Sequence, residues 1–168
     1  MNTWILAPIT ALLFTIVSLP VALAEENGND IPITQTLYVH GGAYTHFHDD
    51  DDYEGNPLFL GAELIRSDQW LYGLGLFNNS FDQFSQYVYG GYQFEFDNSL
   101  QNFHAKLTAG IIHGYKGEFQ DKIPFNNSGY APAIIPSVGW KKDKLGFDVI
   151  LLGKAGLLFT VGYDFFEF

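Results

Sequence analysis

Gln86-Tyr87-Val88-Tyr89-Gly90-Gly91-Tyr92-Gln93-Phe94-Glu95-Phe96 alternates with a period of two. In an extended chain Tyr87, Tyr89, Gly91, Gln93 and Glu95 share one face, and Val88, Gly90, Tyr92, Phe94 and Phe96 the other. One face suits lipid and the other a lumen. Working outward, seven more segments show the same period, at 36–45, 57–65, 70–77, 103–115, 131–141, 145–152 and 157–168, separated by Asp, Asn, Gly and Lys. Most approach the roughly 9–11 residues that a tilted strand needs to cross a bilayer. The expectation is an all-β, eight-stranded antiparallel up-and-down transmembrane β-barrel.

Connection lengths orient it. Short turns at 66–69, 97–102 and 141–144 fit the periplasmic side, while 46–56, 78–85 and 116–130 fit surface loops, and 153–156 is a short outer connection. The final strand puts Phe159, Val161, Tyr163 and Phe165 on one face but Phe166 and Phe168 on the other. That break in parity predicts a bulge near the end. A lipocalin-like barrel is the soluble alternative, but its outer face should be polar, and here several strands carry aromatics on both faces.

Residues 1–24 read as a secretory signal peptide: an apolar run closes on Ala22-Leu23-Ala24 before Glu25-Glu26, although no Lys or Arg precedes it. Residues 25–168 then form a single domain. A membrane anchor is the alternative, disfavoured by the run's length and by Pro8 and Pro20. The net charge of −11 with eight basic residues argues against nucleic acid. Zero cysteines exclude disulfides, thiol nucleophiles and thiolate metal sites. With Phe 16, Tyr 10, Trp 3 and Gly 18, the composition suits a wall facing lipid.

No Walker loop, Gly-x-Ser-x-Gly elbow, His-Glu-x-x-His or Rossmann fingerprint is present. His46-Phe47-His48-Asp49-Asp50-Asp51-Asp52 offers ligands that hard divalent ions accept, but it matches no metal-loop spacing and reads first as a solvated loop tip. His40 lies inside the first strand beside Gly41-Gly42, which leave room above an imidazole. Asn79-Ser80 closes the third strand, and a serine there needs a base within reach before it has chemistry.

Three stretches carry a resemblance: 76–81 continuing to Tyr89-Gly90-Gly91-Tyr92, Asn102-Phe103-His104 with Thr108-Ala109-Gly110, and Lys122-Ile123-Pro124 through Pro136-Ser137-Val138-Gly139. By their order and spacing the chain resembles the outer-membrane lipid A palmitoyltransferases of the PagP type, from about Tyr38 to Phe168. The resemblance implies an acyltransferase that moves a palmitoyl-type chain from a phospholipid donor to lipid A in the outer membrane, after export and insertion by barrel-assembly machinery. No cofactor is implied, because a phospholipid ester is already activated. The family's His and Ser match His40, in Tyr38-Val39-His40-Gly41-Gly42, and Ser80. Its Asp position is Asn79, with Asp82 as a substitute, and its acyl-pocket floor matches Gly91, so that Gly91→Leu is expected to favour shorter chains. The family's leading amphipathic helix is absent, and of its prolines at lateral openings only Pro57 and Pro136 match. A non-catalytic small barrel, acting in adhesion, envelope structure or small-ligand passage, is the rival; a lipid A deacylase lacks its His-x-Ser pairing here. A dry, apolar upper lumen would favour the enzyme, and a polar network the structural barrel.

Overall fold

A computed structural model of the protein describes residues 32–48 and 58–168. The signal-peptide reading, the Asp49–Asp52 run and Pro57 lie outside them. Eight strands close an antiparallel barrel in chain order: β1 (Gln35–His46), β2 (Leu58–Arg66), β3 (Trp70–Asn78), β4 (Phe84–Glu95), β5 (Phe103–His113), β6 (Tyr130–Lys142), β7 (Leu145–Leu151) and β8 (Gly156–Glu167). All eight segments expected from the sequence are strands, with ends shifted by a residue or two. β1 runs from the end called lower below to the upper end. The β6–β7 turn shows the local logic: Asp143 and Lys144 alone join Lys142 to its partner Leu145, and Asp143 takes the left-handed conformation that this side chain tolerates (φ 55°). At the β2–β3 turn, Arg66 donates from Nε and Nη2 to both Asp68 oxygens, which holds that carboxyl below its ordinary range.

Closure of the barrel requires β8 to pair with β1, and the register shifts there between Leu37 and Tyr38. Leu37 faces Phe166 while Tyr38 faces Asp164, so Phe165 is the extra residue and the parity of the C-terminus inverts beyond it. The bulge expected from Phe166 and Phe168 is therefore real.

The alternation separates two surfaces of opposite character. Leu58, Leu60, Trp70, Tyr72, Phe84, Val88, Ile134, Val138, Val161 and Phe165 are exposed on the outer wall. Among the described residues, buried side chains include only six apolar ones against eleven polar or charged. A water-soluble barrel has the reverse arrangement, which disfavours the lipocalin alternative. The lumen accommodates its large rings because glycines of adjacent strands lie beneath them. A β-carbon at Gly61 would collide with His40, one at Gly73 with Tyr89, and one at Gly162 with Tyr38.

Candidate functional site

Inward parity on β1 carries Tyr38, His40, Tyr44 and His46 from bottom to top. At the upper end the Tyr44 hydroxyl donates to the Asn78 carbonyl at 3.0 Å, tying β1 to the end of β3, a strand it does not pair with. The Tyr44 ring meets the His46 imidazole edge-on, with centroids 5.1 Å apart. His46 Nε2 lies 2.6 Å from Ser80 Oγ. With the proton on Nδ1, Nε2 accepts the Ser80 hydroxyl hydrogen, the arrangement of a base and its proton donor.

This geometry corrects the expected pairing. Ser80 meets His46, whereas His40 lies six residues lower on the same strand, about 20 Å along it at ~3.3 Å per residue. Asn79 is no partner of either imidazole. Its Oδ1 accepts the backbone N–H groups of Phe81 and Gln83, both at 3.0 Å, so its side chain builds the turn that presents Ser80. Its buried Nδ2 has no hydrogen-bond partner among the described residues. Asp82 takes a hydrogen bond from Asn78 Nδ2 on the exposed side of the turn and reaches neither histidine.

His40 belongs instead to a polar layer across mid-lumen. Its Nδ1 is 3.3 Å from Thr160 Oγ1, and its ring packs between Tyr38 and Phe59. Below and beside it Lys106 Nζ lies 2.8 Å from Glu63 and 3.4 Å from Asp148. Asp148 also pairs with His104 Nε2 at 2.8 Å and accepts the Tyr38 hydroxyl at 3.1 Å, while Glu63 accepts the Tyr89 hydroxyl at 2.9 Å. Apart from His40 Nε2, which is buried with no hydrogen-bond partner among the described residues, these groups supply each other's hydrogen bonds.

Above this layer is a cavity of about 720 Å³. Phe59, Phe77, Ile112, Ile135, Ile150 and Leu158 form its apolar walls; His40, Glu63, Lys106 and Asp148 form its floor; His46 and Ser80 stand at its mouth. Gly91 does not line it. That glycine faces inward, but a β-carbon there would sit 2.6 Å from the Leu107 carbonyl oxygen and 2.9 Å from Thr108 Cγ2, so its role is the close approach of β4 to β5. The expected floor at Gly91 is replaced by the ionic layer.

The wall is incomplete beside the cavity. β6 pairs with β5 up to Tyr130, but its ladder with β7 ends at Ser137–Ile150. Lys141 donates its N–H toward β5, so odd residues of β6 face β5 and even residues face β7. The next hydrogen-bonded pair would join Pro136 to Leu151, and Pro136 has no N–H to give; Pro132 lacks the same donor higher up. Ile134, between them, is 73% exposed on the outer wall yet lines the cavity. The cavity thus opens sideways through the β6–β7 gap as well as upward.

The β5–β6 loop roofs the upper opening. Gln83 and Lys116 exchange two hydrogen bonds between the β3–β4 and β5–β6 loops, and Phe81 stacks on Phe119 with centroids 4.2 Å apart. No protein-family model matches the chain, and no curated protein matches it. His46 was visible in the sequence only as part of an acidic loop; its inward parity, shared with His40, was the signal that placed it equally at risk of being the mouth histidine.

Proposed function

We propose that the protein lies in the outer membrane as a lipid acyltransferase, moving a palmitoyl-type chain from a phospholipid to lipid A. The observation that carries this reading is the apolar cavity, open through the β6–β7 gap and topped by the His46–Ser80 pair. The apolar outer wall supports residence in a bilayer. An acyl chain enters sideways from the lipid phase, and its ester comes to rest near His46. His46 takes the proton of the attacking lipid A hydroxyl and returns it to the departing glycerol oxygen. Ser80 holds the imidazole in place by donating to Nε2 in the resting site; as Nε2 takes the substrate's proton, the Ser80 oxygen becomes the acceptor of Nε2–H and its own hydrogen turns toward the oxyanion as it forms. No cofactor enters the scheme.

The test is mass spectrometry of lipid A from cells with and without the protein. Expected is a mass increment of one acyl chain, lowered by about a hundredfold or more in His46→Ala and strongly in Ser80→Ala. His40→Ala, which alters only the floor, should keep transfer within about tenfold of the parent. Identical lipid A in all samples, or full transfer by His46→Ala, removes the reading. The ionic layer across mid-lumen favours the second reading, a non-catalytic barrel, and the unchanged profile would leave that one standing.

A further inference from the structure

Phe125, in the β5–β6 loop, is 87% exposed, more than any other large apolar side chain among the described residues. A lone exposed ring needs no explanation, but this one is held where the backbone disfavours it. Pro124 and Phe125 are the central residues of a turn, and Phe125 takes φ 59° at the second of them, a position that ordinarily goes to glycine or asparagine. A side chain this bulky in the left-handed region is an outlier that local folding does not select. At its second reversal the same loop meets the same demand with small residues, Ser128 (φ 53°) and Gly129 (φ 88°). Ile123 and Pro124 line the mouth of the cavity, and Phe125 does not. Two residues later Asn127 exchanges both backbone hydrogen bonds with Tyr130, at 2.9 and 3.0 Å, so Phe125 lies within about 7 Å of that bridge along the chain. Tyr130 tops the outward row of β6, and its ring stacks on that of His113, from the outward row of β5, with centroids 4.3 Å apart. An aromatic pair at the edge of an apolar wall is the girdle that marks a membrane–water interface. The loop thus leaves the mouth at Pro124 and reaches the outer rim by Asn127, with the exposed ring between. β5 and β6 stand across the ring of strands from β1 and β2, which carry the acidic segment between them.

A solvated ring in a left-handed turn gains nothing from either condition. An apolar surround outside the chain offsets both, and at the girdle that surround is the bilayer. We propose that Phe125 is a lipid anchor: its ring enters the headgroup–acyl boundary of the leaflet at the upper end, beside the Tyr130–His113 pair, and fixes the roof of the cavity to the membrane surface next to β6, one edge of the lateral gap. The proposal rests on the reading of the outer wall as bilayer-facing and uses nothing of the transfer chemistry. It gives the loop two moorings of different kinds. Lys116 and Phe119 hold its first half to the β3–β4 loop, and Phe125 holds its second half to lipid. Phenylalanine suits the second task because a ring without a polar tip is buried with no hydrogen bond to satisfy.

The chain has no cysteine, so single cysteines can report position. Phe125→Cys, Ser128→Cys and Val88→Cys, the last on the outer wall of β4, are each labelled with a nitroxide in the full-length protein and reconstituted into vesicles of phosphatidylethanolamine and phosphatidylglycerol. Electron paramagnetic resonance reads the collision rate of each label with oxygen, which concentrates in lipid, and with a water-soluble nickel chelate. The oxygen-to-nickel ratio should be severalfold higher at position 125 than at 128, and higher still at 88. The ring itself is tested through the label at 128. Phe125→Asn should let that label move faster in vesicles, and Phe125→Trp should keep it as slow as in the parent. Asparagine tolerates the left-handed turn, so its effect reports loss of the ring and not of the fold. A label at 125 as open to nickel as that at 128, with 88 in lipid, overturns the anchor and leaves the wall in the bilayer. A label at 125 that neither reagent reaches overturns it as well, because the ring would then pack against protein; so does motion at 128 that Phe125→Asn leaves unchanged. A label at 88 open to nickel overturns the bilayer reading itself.

Discussion

Lys106→Met removes the central cation of the polar layer and leaves the surrounding shape nearly unchanged. Lys106 is 5% exposed and touches two carboxylates, at 2.8 Å and 3.4 Å. Their losses differ. Asp148 retains His104 and the Tyr38 hydroxyl, whereas Glu63 retains only the Tyr89 hydroxyl and loses its cation. Removing one partner of a buried pair costs about 3–5 kcal/mol, because the remaining charge stays desolvated. With a urea slope of about 1–3 kcal/mol per molar, the unfolding midpoint should fall by roughly 2 M. The double variant Lys106→Met/Glu63→Gln replaces the stranded charge by an amide, and should recover most of the loss. Lys141→Met, whose partner Asp164 is partly solvated, should cost only about 1 kcal/mol. The assay is urea unfolding in lipid vesicles, followed by tryptophan fluorescence. A Lys106→Met midpoint close to the parent's, or a double variant no more stable than the single, would refute the argument that charge pairing holds this layer together.

Two further outcomes follow from the corrected cavity. Gly91→Leu should lower stability by about 1–3 kcal/mol in urea unfolding, through the clash with β5, and leave acyl-chain preference where it was. Ile150→Phe, on the cavity wall, should shift preference toward shorter chains in a lipid acyl-transfer assay; the reverse pattern for the two variants would restore Gly91 as the floor. For the lateral gap, the Ile134 amide faces β7 without a ladder partner while that of Val138 pairs with Val149. Hydrogen exchange in micelles should therefore be about a hundredfold or more faster at Ile134, and equal protection would mean that the wall is closed.

Strand number, strand limits, the terminal bulge and the inverted outer wall were legible in the sequence because a period of two records which face each residue takes. Depth along the barrel is not recorded in that way. His40 and His46 have the same parity on one strand, and only the stagger that carries the β3–β4 turn across to the top of β1 decides which of them meets Ser80. Gly91 failed for a related reason. Its inward parity is correct, but whether an inward glycine opens a cavity or admits a neighbouring strand depends on cross-strand spacing, to which the alternation is blind. The polar layer, by contrast, left a readable trace. Glu63 and Asp148 each interrupt an apolar run with a charge at a lumen position, Lys106 does the same on a strand whose lumen face also carries His104 and Thr108, and three such charges of both signs call for one another.

The stratified lumen also explains how the cavity can have a definite bottom. Filling the lower lumen with apolar side chains would have made it continuous in character with the slot above and with the outer wall, so an inserted chain would meet only steric resistance. Charged groups set a different limit. A methylene pressed against Glu63, Lys106 and Asp148 gains no burial beyond what the apolar walls already give, and parting the pairs costs several kcal/mol. The same layer offsets the weakness of β7, which has seven residues and reaches β6 over only six pairs. Asp148 binds that strand across the lumen to His104 and Lys106 on β5 and to Tyr38 on β1. The ladder can therefore lapse beside the cavity because the ionic anchor sits just below the lapse, where pairing is complete. Raising the layer by a pleat would fill the chamber, and lowering the gap by the same amount would bring Asp148 to the opening.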